Sequence, residues 1–296
     1  MRKFLIAALA AVAVLAVAGI AYAENTYTVD GKTNPRAKGT ATKPKPVSLN
    51  FGYTVRDTIA ENRGVPVYQY RIGAEGLVTY PEVFPSCSGG TNGVNAPTLA
   101  EVRANCKRAQ VGGGVILVLV GARAAPLITQ GQNCVINLTL WNLKPGNYGQ
   151  FGTIGKKEGG LAIRLDADQP VPPILDKSVI DPQGNGRCLA PQHKAILAPY
   201  KRVKIKGVTS DELRFTVPND LLHSVPGLDN TVRDVTSTIR RRTATKKIGR
   251  KRRTVGFYSA IGCKGNTRSI QVTFVAEALG GGPGPSTPKS RDDRRC

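Results

Sequence analysis

The chain has 296 residues, with 42 Lys and Arg against 20 Asp and Glu, a formal net charge of +22, 6 Cys, 2 His and 1 Trp. Its length excludes a disulfide miniprotein, whose upper limit is roughly 80 residues, and a hydrophobic fraction of 41% excludes global disorder. One large all-β domain or two ordinary domains fit that length.

Met1-Arg2-Lys3 is a basic start. An apolar run from Phe4 to about Ile20 follows, and then Ala21-Tyr22-Ala23, a small-x-small cleavage pattern. Together they predict a secretory signal peptide over residues 1–23, cut after Ala23. A retained membrane anchor is the alternative, since the run is long enough to span, but no basic stop-transfer flank follows it and no lipobox cysteine lies nearby. The expected location is therefore secreted or at the cell envelope. Export makes disulfides the natural state of Cys87, Cys106, Cys134, Cys188, Cys263 and Cys296. Cys87 and Cys106 bracket one short segment and are expected to pair. Cys134, Cys188 and Cys263 are then one partner short, with Cys296 a free or intermolecular thiol at the end of the tail. There is no CxxC pair and there are only two histidines, so neither a metal nor a cofactor is expected.

Residues 24–45 are polar and read as a flexible leading segment or one edge strand. From Pro46 the pattern changes: Val47, Leu49, Phe51, Tyr53 and Val55 alternate with polar or small residues, as in a half-buried strand. A second strand covers 65–72. Residues 85–97 carry turn chemistry, and Thr98-Leu-Ala-Glu101 matches a capping box opening a short helix near 98–106. Residues 111–121 read as a buried strand preceded by a glycine bend. Further strands are predicted at 133–142, 160–166, 173–180, 201–208, 211–217, 231–243, 252–263 and 267–277, with a loop and one helical turn over 219–228. Gly280 to Pro288 is rich in Gly, Pro, Ser and Thr and ends the fold, leaving 280–296 as a disordered, charged tail. About twelve short strands with one helix predict an all-β fold, an antiparallel β-sandwich of Ig-like or jelly-roll-like type over 46–279. It is either one large unit or two subdomains joined near 190–200.

Material for catalysis is sparse, and no catalytic residue is assigned. His193 and His223 both sit in loops close to proline. Cys188 and His193 are five apart, but an exported cysteine is more often half of a disulfide. Gly152 to Lys157 fails the phosphate-loop pattern, since Gln150 and Lys157 stand where glycine and Ser or Thr are required. Asp166-Ala-Asp168 could turn two carboxylates to one side of a strand end, which suits a divalent cation or, with Asp176 and Asp181, a hydrolase or carbohydrate-active site. The plainer reading is a polar strand terminus before Pro170.

One segment stands out. Arg240, Arg241, Arg242, Lys246, Lys247, Arg250, Lys251, Arg252 and Arg253 fall within a run of fourteen residues that holds no acid. Val235, Ser237 and Ile239 alternate before it, and Val255, Phe257, Ser259 and Ile261 alternate after it. This predicts a hairpin about Gly249 with a basic outer end. Clustered Lys and Arg release counterions from an anionic polymer. Expected partners are an anionic cell-wall polymer, an anionic lipid surface or extracellular nucleic acid. With no aromatic residue between 240 and 253, sequence-specific reading of nucleic acid is disfavoured. The plainer alternative is a solvated loop that protects a sheet edge.

Three segments carry a resemblance: Phe84-Pro-Ser-Cys87 leading to Cys106 through Gly114; Val225-Pro-Gly-Leu-Asp-Asn230; and Gly256-Phe-Tyr-Ser-Ala-Ile-Gly-Cys263 with Val272-Thr-Phe274. Together they resemble exported actinobacterial β-sandwich proteins with no assigned function. The chain departs from that pattern at Lys107 and Arg108, where proline and a small residue are expected. The resemblance implies a β-sandwich and no catalytic residue. The resulting expectation is a non-enzymatic exported β-sandwich that binds an anionic polymer or surface through its basic hairpin, with a hydrolase using Asp166 and Asp168 as the alternative.

Overall fold

A computed structural model describes residues 25–123, 127–149, 152–156, 158–167, 188, 193–278, 283–293 and 296. The strands are β1 (Asn25–Asn34), β2 (Lys45–Asp57), β3 (Val67–Ala74), β4 (Leu77–Thr79), β5 (Gln110–Ala122), β6 (Gln132–Leu143), β7 (Gly146–Asn147), β8 (Thr153–Ile154), β9 (Gly160–Asp166), β10 (His193–Ile205), β11 (Val208–Thr216), β12 (Leu228–Ile239), β13 (Thr243–Ile248), β14 (Lys251–Gly256), β15 (Tyr258–Ala260), β16 (Arg268–Glu277) and β17 (Pro283–Asp293). Helix α1 spans Leu99–Asn105 and α2 spans Asn219–Leu222. The expected all-β, antiparallel β-sandwich is what forms.

Most strands join one 13-stranded sheet in the order β17-β16-β3-β11-β10-β9-β6-β5-β12-β2-β15-β4, with β1 also on β2. The sheet turns back on itself. Tyr27 of β1 stacks on Phe274 of β16 at 4.2 Å between ring centres, and Tyr53 of β2 meets the same ring edge-on at 5.3 Å. Stacked and edge-on rings each add about 0.5–1.5 kcal/mol beyond their burial. The two layers bury the alternating positions read from the sequence: Val47, Leu49, Phe51, Tyr53 and Val55 all lie in the core. The glycines of β5 let β12 approach, since a Cβ at Gly112 or Gly114 would collide with the carbonyls of Thr238 or Thr236. They sit inside the strand, so no separate bend precedes it.

Helix α1 begins at the predicted capping box: the Thr98 hydroxyl accepts from the Glu101 amide, and the Thr98 amide donates to the Glu101 carboxylate. The two ends of the chain resolve differently. Of the two expectations for the leading segment, the flexible segment does not form; the edge strand does, over Asn25–Asn34, paired with β2 along its whole length. Its inward positions are Tyr27, Val29, Gly31 and Thr33, and the last two weaken the apolar period. Pro283–Asp293 is not a disordered tail but β17, paired with β16. Its prolines are tolerated because it is an edge strand whose outer side needs no ladder donors. The strands predicted at 231–243 and 252–263 are each cut short. Residues Arg240–Arg242 leave the sheet after Ile239, and Phe257 interrupts the return by donating its amide to the Arg242 carbonyl. The strand predicted at 173–180, the signal segment 1–23 and part of the junction near 190–200 lie outside the described residues.

Cys87–Cys106 pair as expected, and the other bridges are Cys134–Cys188 and Cys263–Cys296. Cys296 is thus neither free nor intermolecular, because β17 carries the chain end back beside Cys263. Loop closure entropy grows with separation, so the 54-residue Cys134–Cys188 bridge contributes most and the 19-residue Cys87–Cys106 bridge least. Replacing Cys134 and Cys188 together by Ala is expected to lose about 4 kcal/mol, against about 3 kcal/mol for the Cys87 and Cys106 pair. Urea unfolding of the two double variants measures both losses, and a reversed order would contradict the entropic account.

Candidate functional site

The basic segment forms the predicted hairpin as a two-stranded sheet of its own, running from Thr243↔Gly256 to Ile248↔Lys251. Gly249 turns it with φ +60°, as a two-residue loop with glycine at its first position requires. Strand alternation gives the hairpin two faces. Ala244, Lys246, Ile248, Lys251, Arg253 and Val255 share the first, which turns towards the body at its base, where Val255 is fully buried. Thr243, Thr245, Lys247, Arg252 and Thr254 share the second, and all are exposed.

The nine basic residues do two different jobs. Two of them bond to the body. Arg242 donates through Nη1 to the carbonyls of Arg108 and Gln110. Burial, then the charges of Arg240 and Arg108, lower its guanidinium below the usual arginine value. Lys246 pairs with Glu82 and lies 4.5 Å above the Tyr80 ring. These two anchor the hairpin and are not placed to meet a partner. Among the described residues, Arg240, Arg241, Lys247, Arg250, Lys251, Arg252 and Arg253 make no ion pair, and the Arg253 Nε is buried with no hydrogen-bond partner. Lys247 stands directly opposite Arg252, and Lys246 opposite Arg253. Like charges in facing positions cost stability.

Arg242 also gathers residues that the sequence reading did not assign to the patch. Its bond to the Arg108 carbonyl brings the exposed Lys107 and Arg108 to the hairpin base, and Arg108 holds that position with φ +63°, a left-handed value rare for a side-chain-bearing residue. Their one signal in the sequence is the departure from the expected pattern after Cys106. Of the other basic residues nearby in sequence, Lys201 is neutralised by Glu158 at 2.5 Å and Arg202 by Asp211 at 2.7 Å.

Asp211 ties β4 to β11. Its carboxylate accepts from the Thr79 amide at 2.6 Å and from the Thr79 hydroxyl at 2.9 Å. Burial nevertheless pushes this carboxyl up, outweighing those bonds and the Arg202 charge. The folded chain therefore holds the proton more tightly than the unfolded chain. The contribution of Asp211 to stability is complete below the ordinary carboxylate range and is lost as pH rises through the raised folded value. Asp211→Asn has no such proton to lose. The stability of the wild type relative to this variant is expected to fall as pH is raised from about 3 to about 7. Urea midpoints across that range test it, and a pH-independent difference would contradict it.

The acidic alternative is placed very differently from a cleft. Asp166 and Arg164 are both fully buried and paired, with Nη2 at 2.9 Å and Nε at 3.0 Å from the carboxylate. Arg164 also donates to the carbonyls of Val94 at 2.8 Å, Ala96 at 2.6 Å and Pro97 at 3.3 Å, so it pins the turn-rich segment before α1. The His193 Nδ1 lies 3.2 Å from Asp166, and Cys188 is bridged to Cys134, so no Cys–His pair forms. Asp168, Asp176 and Asp181 lie outside the described residues. His223 sits between Asp229 at 3.1 Å and Glu277 at 2.9 Å, and Arg123 reaches both carboxylates. Among the described residues no group of His, Cys, Asp and Glu could hold a metal ion. Comparison of the chain with protein-family models, with curated proteins and with solved structures finds no match, so the reading of the site rests on its own geometry.

Proposed function

We propose that this chain is a non-enzymatic protein of the cell envelope or extracellular space that binds an anionic polymer or surface through the 240–253 hairpin. One observation carries the reading: the hairpin keeps two facing like-charge pairs and, among the described residues, a set of cations with no acidic partner, at a cost to its own stability. Edge protection needs far fewer charges. Export is supported by the leading basic and apolar segment and is compatible with the three disulfides. No helix among the described residues is long and apolar enough to cross a membrane.

Titration of the purified chain with a mixed-sequence DNA duplex and with inorganic polyphosphate tests the proposal. For the duplex, about six phosphate contacts give a slope of about −5 in log K against log salt, a loss of about 10³-fold between about 50 and 200 mM. Affinity is expected to be the same for unrelated duplex sequences. No binding at the lower salt, or binding that ignores salt, would overturn it.

A further inference from the structure

Among the described residues, two chambers open between the two layers of the sheet. A cavity of about 130 Å³ lies among side chains that include Phe51, Leu138, Leu161, Leu213 and Phe215. A second of about 60 Å³ adjoins it under α2, walled in part by Val118, Val120, Ile136, Leu221, Leu222 and the Cys134–Cys188 bridge. Ile116, Leu165, Val217 and Val232 belong to both walls, so the chambers lie end to end behind one shared layer of side chains. Among the described residues, no charged residue lines either chamber.

Interiors are normally close-packed, and a void forfeits contacts on every side. The smaller chamber holds a second defect. Asn230 lines it and gives its Nδ2 to the Leu221 carbonyl and the Ser224 hydroxyl, each at 2.8 Å, but its Oδ1 is buried with no partner. A buried acceptor without a donor is costly. One guest would satisfy both defects. The geometry points to a binding site for a medium-length alkyl chain that ends in a neutral hydrogen-bond donor, such as a primary alcohol or a protonated carboxyl. The chain lies through the two chambers, and its head donates to Asn230 Oδ1 beneath α2. Dry cavities near 150 Å³ take a guest of benzene size, so the two chambers together take about eight carbons. The absence of charged lining disfavours an ionised head.

The test uses the full oxidised chain, titrated with 1-octanol and with its methyl ether, which has the same chain but cannot donate. Calorimetry reads affinity, and methyl resonances of labelled Ile, Leu and Val locate the guest. Octanol is expected to bind saturably with shifts confined to Ile116, Leu165, Val217, Val232 and their neighbours, and the ether to bind at least about fivefold more weakly. Val232→Phe, which fills the shared layer, is expected to abolish binding. If that variant fails to fold, Val232→Leu is expected to weaken binding while keeping the native spectrum. The absence of saturable binding by the wild type, shifts away from these methyls, equal affinity for the ether, or undiminished binding by the folded filling variant would each overturn the assignment.

Discussion

Replacing Arg164 by Met is expected to destabilise the fold by about 3–5 kcal/mol, the cost of leaving one partner of a buried ion pair uncompensated. Arg164 and Asp166 are both fully buried, so the remaining carboxylate could not turn to water and would keep only the partly exposed His193 ring at 3.2 Å. The carbonyls of Val94, Ala96 and Pro97 would lose donors at the same time, which releases the segment leading into the Thr98 capping box. Removing both charges, as Arg164→Met with Asp166→Leu, is expected to recover much of the loss, because an apolar pair of similar volume replaces a buried ion pair at little cost. Urea unfolding of the three proteins separates these contributions. A loss near zero for the single variant would mean that the pair is not buried as described.

Changing Lys247, Arg250, Arg252 and Arg253 together to Gln is expected to lower affinity for a DNA duplex by at least about 10³-fold at low salt. The salt slope should fall by about four units, close to one for each contact removed. The same change should leave the fold intact and raise its stability slightly, by about 0.2–1 kcal/mol for each like-charge facing pair relieved. Loss of binding with a gain in stability separates a binding patch from a structural one. Lys246→Gln serves as the contrast: its charge is already matched by Glu82, so the slope should shift by less than about one unit. Unchanged affinity in the fourfold variant would end the case for the hairpin.

Local signals carried much of this fold. The strict alternation of β2, the capping box at Thr98 and Glu101, the glycine turn at 249 and the short Cys87–Cys106 span are encoded within a few residues and could be read directly. The two end strands are weaker in the sequence: β1 is only one of two alternatives there, and β17 does not read as a strand at all. β1 dilutes its inward face with Gly31 and Thr33, and β17 carries prolines that are tolerable only at a sheet edge. Both are held by pairing with strands already in place rather than by their own propensity. The fate of Cys296 follows from β17 and was hidden for the same reason.

The site divides along the same line. The local order of residues alone determined that a dense block of positive charge sits about a hairpin turn, because charge and turn chemistry are properties of residue type. Which of those charges remain unpaired was decided only by tertiary structure. Arg242 reaches carbonyls more than a hundred positions earlier, and Lys246 reaches Glu82 across a similar distance. The same holds for Asp166: as a residue type it suits a cation or a hydrolase, and only the packing of β9 against the 94–97 segment commits it to Arg164. Arg164 stands only two positions before Asp166, but that the pair is closed off from water depends on the 94–97 carbonyls that long-range folding brings over it.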